Sequence, residues 1–204
     1  MAIVNGYAGL DDLKSWIDED LDTADANGVL EQAIEVASRW IDGRCDRQFY
    51  TVTGARTFDA CGRWELRIDD ATAITQVATD DNADGVFETV WAPSEWQPIR
   101  NAGPAPEARP YRRIRSVSGR TFPRVRYDGR NLLVEVTATW GWATVPEAVH
   151  QACLMQASRL IKRRSSPEGI TGFGSEFGHI RISQRGDPDV EALLAPYRAA
   201  VLVA

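Results

Sequence analysis

The stretch that decides the fold is Val134-Glu135-Val136-Thr137-Ala138-Thr139-Trp140-Gly141-Trp142-Ala143-Thr144-Val145-Pro146-Glu147. Up to Trp140, apolar and polar residues alternate, a pattern typical of a half-buried β-strand. Thr144 and Glu147 then have the spacing of a capping box, which predicts the start of a helix. Apolar residues at helical spacing continue to about Arg164. A strand that passes directly into a helix indicates a mixed fold.

Upstream of this stretch the period of the apolar residues is two from about Arg56. The segment from Arg63 to Asp69 alternates strictly, which predicts a strand with one buried face. The other predicted strands are Ile74–Ala78, Val86–Trp91, Tyr111–Val117, Arg124–Tyr127 and Asn131–Trp140. The segment from Ala92 to Pro110 contains five prolines, which predicts a loop and excludes a central strand.

The two ends of the sequence have helical periodicity. A first helix is predicted from Gly9 to Asp20, and a second ends near Asp42 with Gly43 as its C-terminal stop and Asp25 or Asn27 as its N-cap. Asp187-Pro188 predicts the N-cap and first turn of a last helix, which Pro196 should kink or shorten.

We therefore predict an α+β fold: an antiparallel helical bundle frame with an inserted antiparallel β-sheet region and a C-terminal helix after a long loop. The predicted divisions are N-terminal helices over 1–55, the inserted β-region over 56–143, and C-terminal helices over 144–204. The last division includes a glycine-rich loop over 165–178.

Charge is unevenly distributed along the 204 residues. Residues 1–90 hold 19 acidic and 7 basic side chains, whereas residues 91–204 hold 10 acidic and 16 basic. The net charge of −6 argues against a general nucleic-acid binder. One acidic and one basic half could pack head to tail between copies, although unevenly charged solvated faces explain the same counts. No apolar run is long enough to span a bilayer, so no membrane partner is expected.

One segment has the pattern of a calcium loop. Asp80, Asn82, Asp84 and Glu88 would supply oxygen ligands, but the bidentate acid expected at the twelfth loop position is replaced by Trp91. A tight polar hairpin turn explains the same residues. A calcium-dependent binding module therefore remains the alternative function.

Other cofactor and catalytic patterns are missing from the sequence. There is no nucleophile elbow, no Walker lysine and no zinc-ligand spacing around the two histidines, His150 and His179. We expect no cofactor and no enzymatic activity.

A basic segment lies between Arg109 and Arg130. It contains eight arginines, among them Arg112, Arg113 and Arg115, with interleaved aromatic residues. A nucleic-acid groove would use this mixture, and so would a sheet face that meets an acidic protein partner. The net negative charge of the chain favours the second interpretation.

The order of elements and several short motifs resemble the head–tail connector (adaptor) proteins of long-tailed double-stranded-DNA phages and gene transfer agents. The motifs that carry the resemblance are Tyr7-x-x-Leu10-x-x-Leu13, Leu30-x-x-Ala33-Ile34-x-x-Ala37-Ser38-x-x-Ile41, Cys45-Asp46-Arg47-Gln48-Phe49, Trp140-Gly141-Trp142-Ala143-Thr144-Val145-Pro146 and Asp187-Pro188 to Tyr197-Arg198.

The resemblance implies a structural virion protein of the neck, between capsid and tail, assembled in the host cytoplasm. It implies a homo-oligomeric ring, expected to be a dodecamer, attached beneath the portal protein. The ring would extend the DNA channel, let packaged double-stranded DNA pass without specific contacts, and present a platform to a head-completion (stopper) or tail-terminator protein.

Two sets of residues are predicted to serve such assembly. Subunit contacts would join acidic helix residues of one copy to arginines of the next: Asp11, Asp12 and Asp18 to Arg112, Arg113 and Arg115. Partner binding is expected at the glycine-rich loop and the residues that flank it: Arg163, Arg164, Phe173, Phe177, Ile180 and Arg181.

Overall fold

The described residues form four helices and a six-stranded antiparallel sheet, so the predicted mixed α+β class is confirmed. The computed structural model describes residues 3–17, 24–60, 62–100, 109–123, 132–165 and 187–199. The helices are α1 (Leu10–Ile17), α2 (Ala24–Cys45), α3 (Glu147–Ser165) and α4 (Pro188–Leu194). The strands are β1 (Val52–Phe58), β2 (Glu65–Thr79), β3 (Thr89–Val90), β4 (Trp96–Arg100), β5 (Tyr111–Ser116) and β6 (Val134–Trp140).

The chain divides into two compact units. The helical unit combines both ends of the chain, Met1–Arg47 and Val145–Ala204, and the sheet unit is the continuous segment Gln48–Thr144. The first strand begins at Val52, four residues before the start of the predicted β-region.

Small side chains let α2 and α3 approach closely in the helical unit. Ala33 and Ala37 of α2 and Ala152 and Ala157 of α3 are buried, and α3 also contacts α1 and α4. Larger apolar residues fill the remaining space between these helices: Leu13, Leu30, Ile34, Ile41, Val149, Val190 and Leu194. None of the described helices is long and apolar enough to cross a membrane.

A buried hydroxyl fixes the N-terminal segment to this core. Ser38 Oγ donates to the Ile34 carbonyl at 2.7 Å and accepts the Tyr7 backbone N–H at 3.0 Å. The Tyr7 hydroxyl donates to the Asp42 carboxylate. Burying these polar groups is tolerated because each has a partner.

Helix α2 is longer than predicted at both ends. It begins at Ala24, so Asp25 and Asn27 lie inside the helix and do not cap it, and it continues past the predicted stop at Gly43. The last turn is held by the C-terminal segment, because Ala199 N–H donates to the Cys45 carbonyl at 2.8 Å. Of the predicted first helix, residues 10–17 form α1, and its remainder, 18–20, lies outside the described residues.

The start and end of α4 follow the sequence prediction. The Asp187 side chain accepts the Asp189 N–H at 3.0 Å as the N-cap, and Pro188 takes the first helical position. After Leu194 the chain tightens into a 3₁₀ turn that contains Pro196. Proline lacks the N–H that an α-helix would use there, which confirms the predicted shortening.

The sheet has the strand order β1-β6-β2-β5-β4, and β3 pairs with β2. Its core includes a stacked pair, Trp91 and Phe122, with ring centroids 4.6 Å apart. The remaining core side chains are Leu66, Ile68, Ala71, Val77, Ile114, Val134, Val136, Ala138 and Trp140.

Three strand predictions need correction. The segments predicted as separate strands around 63–69 and 74–78 belong to one strand, β2, whose register shifts at two irregularities. Of the predicted strand Val86–Trp91, only Thr89–Val90 form a strand, which is β3. The proline-rich segment predicted as a loop contains β4, and the predicted strand 124–127 lies outside the described residues.

Strand β4 accommodates Pro98 because it is an edge strand. Val117 N–H donates to the Glu95 carbonyl at 3.0 Å, so the alternation of an antiparallel ladder turns the polar groups of Gln97 and Ile99 toward β5. The backbone nitrogen and carbonyl of Pro98 then face away from β5. The missing N–H costs no ladder hydrogen bond and blunts this edge against further pairing.

The Trp140-Gly141-Trp142 motif ties the end of β6 to its neighbours. Trp140 Nε1 donates to the Gly54 carbonyl at 2.8 Å, and Trp142 Nε1 donates to the buried Asp70 carboxylate at 2.9 Å. Between them, Gly141 N–H donates to the Asp70 carbonyl at 2.6 Å. Gly141 has φ = 99°, and a Cβ added there would lie 1.9 Å from the Tyr50 carbonyl oxygen.

We expect Gly141→Ala to lower the free energy of unfolding by roughly 2–4 kcal/mol, because it combines a left-handed backbone with a clash against main chain. Urea unfolding followed by tryptophan fluorescence measures the change. Gly54→Ala is the matched control, since Gly54 lies in the same sheet unit with no atom within 4 Å of an added Cβ. Equal stability of the two variants would contradict this account of the motif.

Candidate functional site

The predicted calcium segment folds as a turn organised by one buried carboxylate. Asp80 Oδ1 accepts the N–H groups of Ala83 and Asp84 at 2.6 and 3.2 Å, and Oδ2 accepts that of Gly85 at 2.7 Å. Burial raises the pKa of Asp80, but the backbone N–H donors of Gly85, Ala83 and Asp84 outweigh it and hold this pKa below its usual value.

The same turn brings together the acidic side chains predicted to bind calcium. Ligand oxygens of Asp80, Asp84 and Glu88 lie within 4.8 Å of one another, the one such group among the described residues. The Asn82 amide donates to Asp84 Oδ2 at 3.0 Å, so it already stabilises the turn. Trp91, at the twelfth position, stacks on Phe122 and offers no carboxylate. The arrangement therefore supplies three carboxylates but not the full shell of six to eight oxygens that calcium takes.

The described arginines of the basic segment are largely paired within the sheet unit. Arg112 Nε lies 3.2 Å from Asp70 Oδ1, and Arg120 pairs with Glu95 at 3.1 Å. Arg113 and Arg115 share Glu65, at 3.4 and 2.6 Å. Three more arginines of the segment lie outside the described residues: Arg124, Arg126 and Arg130.

The shared carboxylate of Glu65 responds to its two arginines. The Arg115 hydrogen bond lowers the pKa of Glu65, and the charges of Arg115 and Arg113 lower it further. Glu65 is about one-third exposed, so solvent weakens both pairs.

Sequence reasoning missed Arg67, which stands directly opposite Arg113 in the pairing of β2 with β5. Its side chain is exposed, and the structure gives it no ion-pair partner among the described residues. The alternation of 63–69 places Arg67 on the outer face of β2, but only the register with β5 brings the two arginines together.

The acidic residues predicted for subunit contacts lie on α1. Asp11 is exposed, whereas Asp12 Oδ2 accepts the Gly9 N–H at 3.0 Å and lies 3.2 Å from His150 Nε2 of α3. The Gly9 hydrogen bond, and secondarily that of His150, lowers the pKa of Asp12. Asp18 lies outside the described residues. The same helix exposes Trp16.

The predicted partner-binding residues are only partly described. Arg163 and Arg164 are exposed in the last turn of α3. Phe173, Phe177, Ile180 and Arg181 lie outside the described residues.

Comparison with known proteins gives a result at the level of structure only. No model of a known protein family matches the chain, and no curated protein matches it. Solved structures contain chains with a similar fold. The neck of an empty gene transfer agent (GTA) particle computed with C6 symmetry matches with a TM-score of 0.63, 20% identity, and coverage of 100% of this chain and 96% of that chain.

The neck of a native GTA particle computed with C12 symmetry matches with a TM-score of 0.59, and so does the virion of a native GTA particle. In both cases the sequence identity is 20%, and the match covers 100% of this chain and 96% of that chain. This chain has the fold of GTA neck and virion chains. The resemblance predicted from sequence is thus confirmed for the fold, over the whole length of the chain.

The acid sensitivity of the Asp80 turn can be tested directly. Because the folded-state pKa lies below the usual value of 3.8, the contribution of Asp80 is complete above about that pH and is lost as the pH falls through the folded-state pKa. We therefore expect wild-type stability to fall more steeply than that of Asp80→Asn between about pH 4 and pH 2. Urea midpoints measured across this range give the two slopes, and parallel curves would contradict the assignment.

Calcium is expected to add little stability. A site with a millimolar Kd would stabilise the fold by about 1.4 kcal/mol in 10 mM calcium, which is roughly 3 °C in Tm for a chain of this size. We expect a difference below about 1 °C between calcium and chelator by scanning calorimetry. A shift of several degrees that disappears in Asp84→Ala would instead favour the calcium-dependent binding module.

Proposed function

We propose that this chain is a structural, non-enzymatic protein of a virion neck, a head-to-tail connector that forms a ring beneath the portal protein. The observation that carries the proposal is the match over the full chain to chains from GTA necks. Fold likeness at 20% identity does not transfer a function by itself, so the role rests on this match together with the surfaces described above.

A ring of about twelve copies is supported by the C6 and C12 symmetries of those necks. In such a ring each copy contacts its neighbours through two different surfaces. The described surface offers two of opposite charge, the acidic exposed side of α1 and the arginines of β2 and β5. We propose that the predicted subunit-contact residues act there, with Asp18 included from sequence alone.

The ring would extend the DNA channel and present a platform to a head-completion (stopper) or tail-terminator protein. Packaged double-stranded DNA would pass through it without specific contacts. A chain with a net charge of −6 suits this task, because negative protein does not adhere to the phosphate backbone.

We propose that portal binding involves the end of α3 and the residues that follow it. Arg163 and Arg164 are exposed and have no acidic ion-pair partner among the described residues. Phe173, Phe177, Ile180 and Arg181 belong to this proposal on the sequence alone. Aromatic and arginine side chains are the types enriched at the centres of protein interfaces.

Electron microscopy of the purified chain mixed with the portal protein of the same particle tests the function. We expect rings of twelve copies seated on one end of the portal, and particles in which the chain is absent should lack this layer. A chain that neither binds the portal nor enters the neck of assembled particles would contradict the proposal.

The portal-binding residues need a separate comparison. We expect Arg163→Glu combined with Arg164→Glu to weaken portal binding about tenfold or more without changing Tm, because both side chains are exposed. Arg63→Glu is the matched control, an exposed arginine of the sheet unit. Equal binding by the double variant and the control would remove these two arginines from the proposed surface.

A further inference from the structure

Three arginines and one carboxylate lie together on the outer face of the sheet, and only two of the arginines pair with that carboxylate. Arg67 and Arg113 face each other directly across β2 and β5, and Glu65 and Arg115 form the adjacent pair. Directly opposed side chains have Cβ atoms about 5 Å apart, and like charges in such a pair destabilise a sheet. We refer to Glu65, Arg67, Arg113 and Arg115 as the arginine face.

The arginine face has three arginines and one carboxylate, so contacts within the same chain leave it with excess positive charge. Glu65 reaches Arg113 at 3.4 Å and Arg115 at 2.6 Å, which leaves Arg67 without an ion-pair partner among the described residues. Two guanidinium groups side by side on a sheet form a ready site for carboxylates from outside, since each presents planar donors.

The complementary surface lies on α1 of the same sequence. Asp11, Asp12, Ser15 and Trp16 are exposed, and helical geometry places them within an arc of about 140°. We refer to these four residues as the α1 face. Asp11 has no ion-pair partner in the described part of the chain, and 48% of Trp16 is exposed. An exposed tryptophan beside carboxylates is a surface that arginines bind well, by stacking as well as by charge.

We infer that the α1 face of one copy docks on the arginine face of the next copy. The inference rests on the proposed ring and assigns one of its subunit contacts. Asp11 would provide the carboxylate that Arg67 lacks, and the indole of Trp16 would lie on a guanidinium plane.

DNA is the other anion that an arginine face could bind, and the charges argue against it. Glu65 sits within the face and would repel phosphates. The sheet unit carries 12 acidic and 12 basic residues, so it presents no general positive field. Residues 1–47, which contain α1, carry 11 acidic and 4 basic residues, so the complementary charge is present on the chain itself.

Charge reversal with rescue tests the contact. In sedimentation equilibrium of the full chain at 50 mM salt, we expect Asp11→Arg and Arg67→Asp each to weaken self-association about fivefold, and the combined variant to recover most of it. Trp16→Ala should weaken it as well. Raising the salt to 500 mM should weaken the wild type and leave the single reversals nearly unchanged.

Arg63→Glu serves as the control, because Arg63 is exposed next to the start of β2 but lies outside the arginine face. It should associate as the wild type does. Thermal melting of every variant excludes loss of folding as the cause, since all the changed side chains are exposed.

Several outcomes would overturn the inference. One is self-association of both single reversals at the wild-type level, and another is the lack of any self-association of the wild type up to millimolar concentration. A third is loss of binding to a 30-base-pair duplex in Arg67→Asp with self-association unchanged, which would assign the face to DNA. None of these outcomes tests the proposed function. That function is tested by binding of the chain to the portal protein and by its presence in the neck of assembled particles.

Discussion

The sheet unit depends on the buried residue Asp70. Its carboxylate accepts the indole N–H of Trp142 at 2.9 Å and lies 3.2 Å from the Arg112 guanidinium, while its carbonyl accepts the Gly141 N–H. One residue of β2 is thereby connected both to β5 and to the chain leaving β6. A buried carboxylate is tolerated only with such partners, so the position of Asp70 fixes the register of three strands at once.

This connection has a consequence for the outer face of the sheet. The register of β2 with β5 shifts between Arg67 and Ala71, next to Asp70. Before the shift, Arg67 is opposite Arg113 and Glu65 is opposite Arg115. A slip of one residue would turn these side chains to the other face. The buried contacts of Asp70 therefore determine that Arg67 lies opposite Arg113 on the outer face of the sheet.

The sequence predicted those elements whose signals are local. Strict alternation located β6 and the first half of β2, and Asp187-Pro188 located the start of α4, because strand periodicity and capping act within a few residues. Strand β1 was not predicted as a separate strand because its apolar residues, Val52, Ala55 and Phe58, are three positions apart and do not alternate with polar ones. The second half of β2 was separated from the first because its irregularities break the alternation.

Features that depend on distant residues could not be predicted in this way. The end of α2 passes Gly43 because Ala199 and Glu191, far along the chain, bind Cys45 and Arg44. The role of Arg67 depends on a strand partner that no local pattern specifies. In contrast, the acidic turn from Asp80 to Glu88 was located correctly because the hydrogen bonds that the Asp80 carboxylate accepts come from residues three to five positions away. The sequence could not reveal that Asp80 is buried at the centre of the turn.

The helical unit is assembled from two segments separated by the whole sheet unit, and this fixes an order of events during synthesis. At translation rates of roughly 5–20 residues per second, α3 leaves the ribosome on the order of 5–20 s after α2. For that interval the apolar side of α2, with Leu30, Ile34 and Ile41, has no α3 to cover it. The sheet unit is continuous and can form first. Folding of the helical unit must therefore wait for α3, and premature release of the nascent chain would leave this apolar side of α2 exposed to chaperones and proteases.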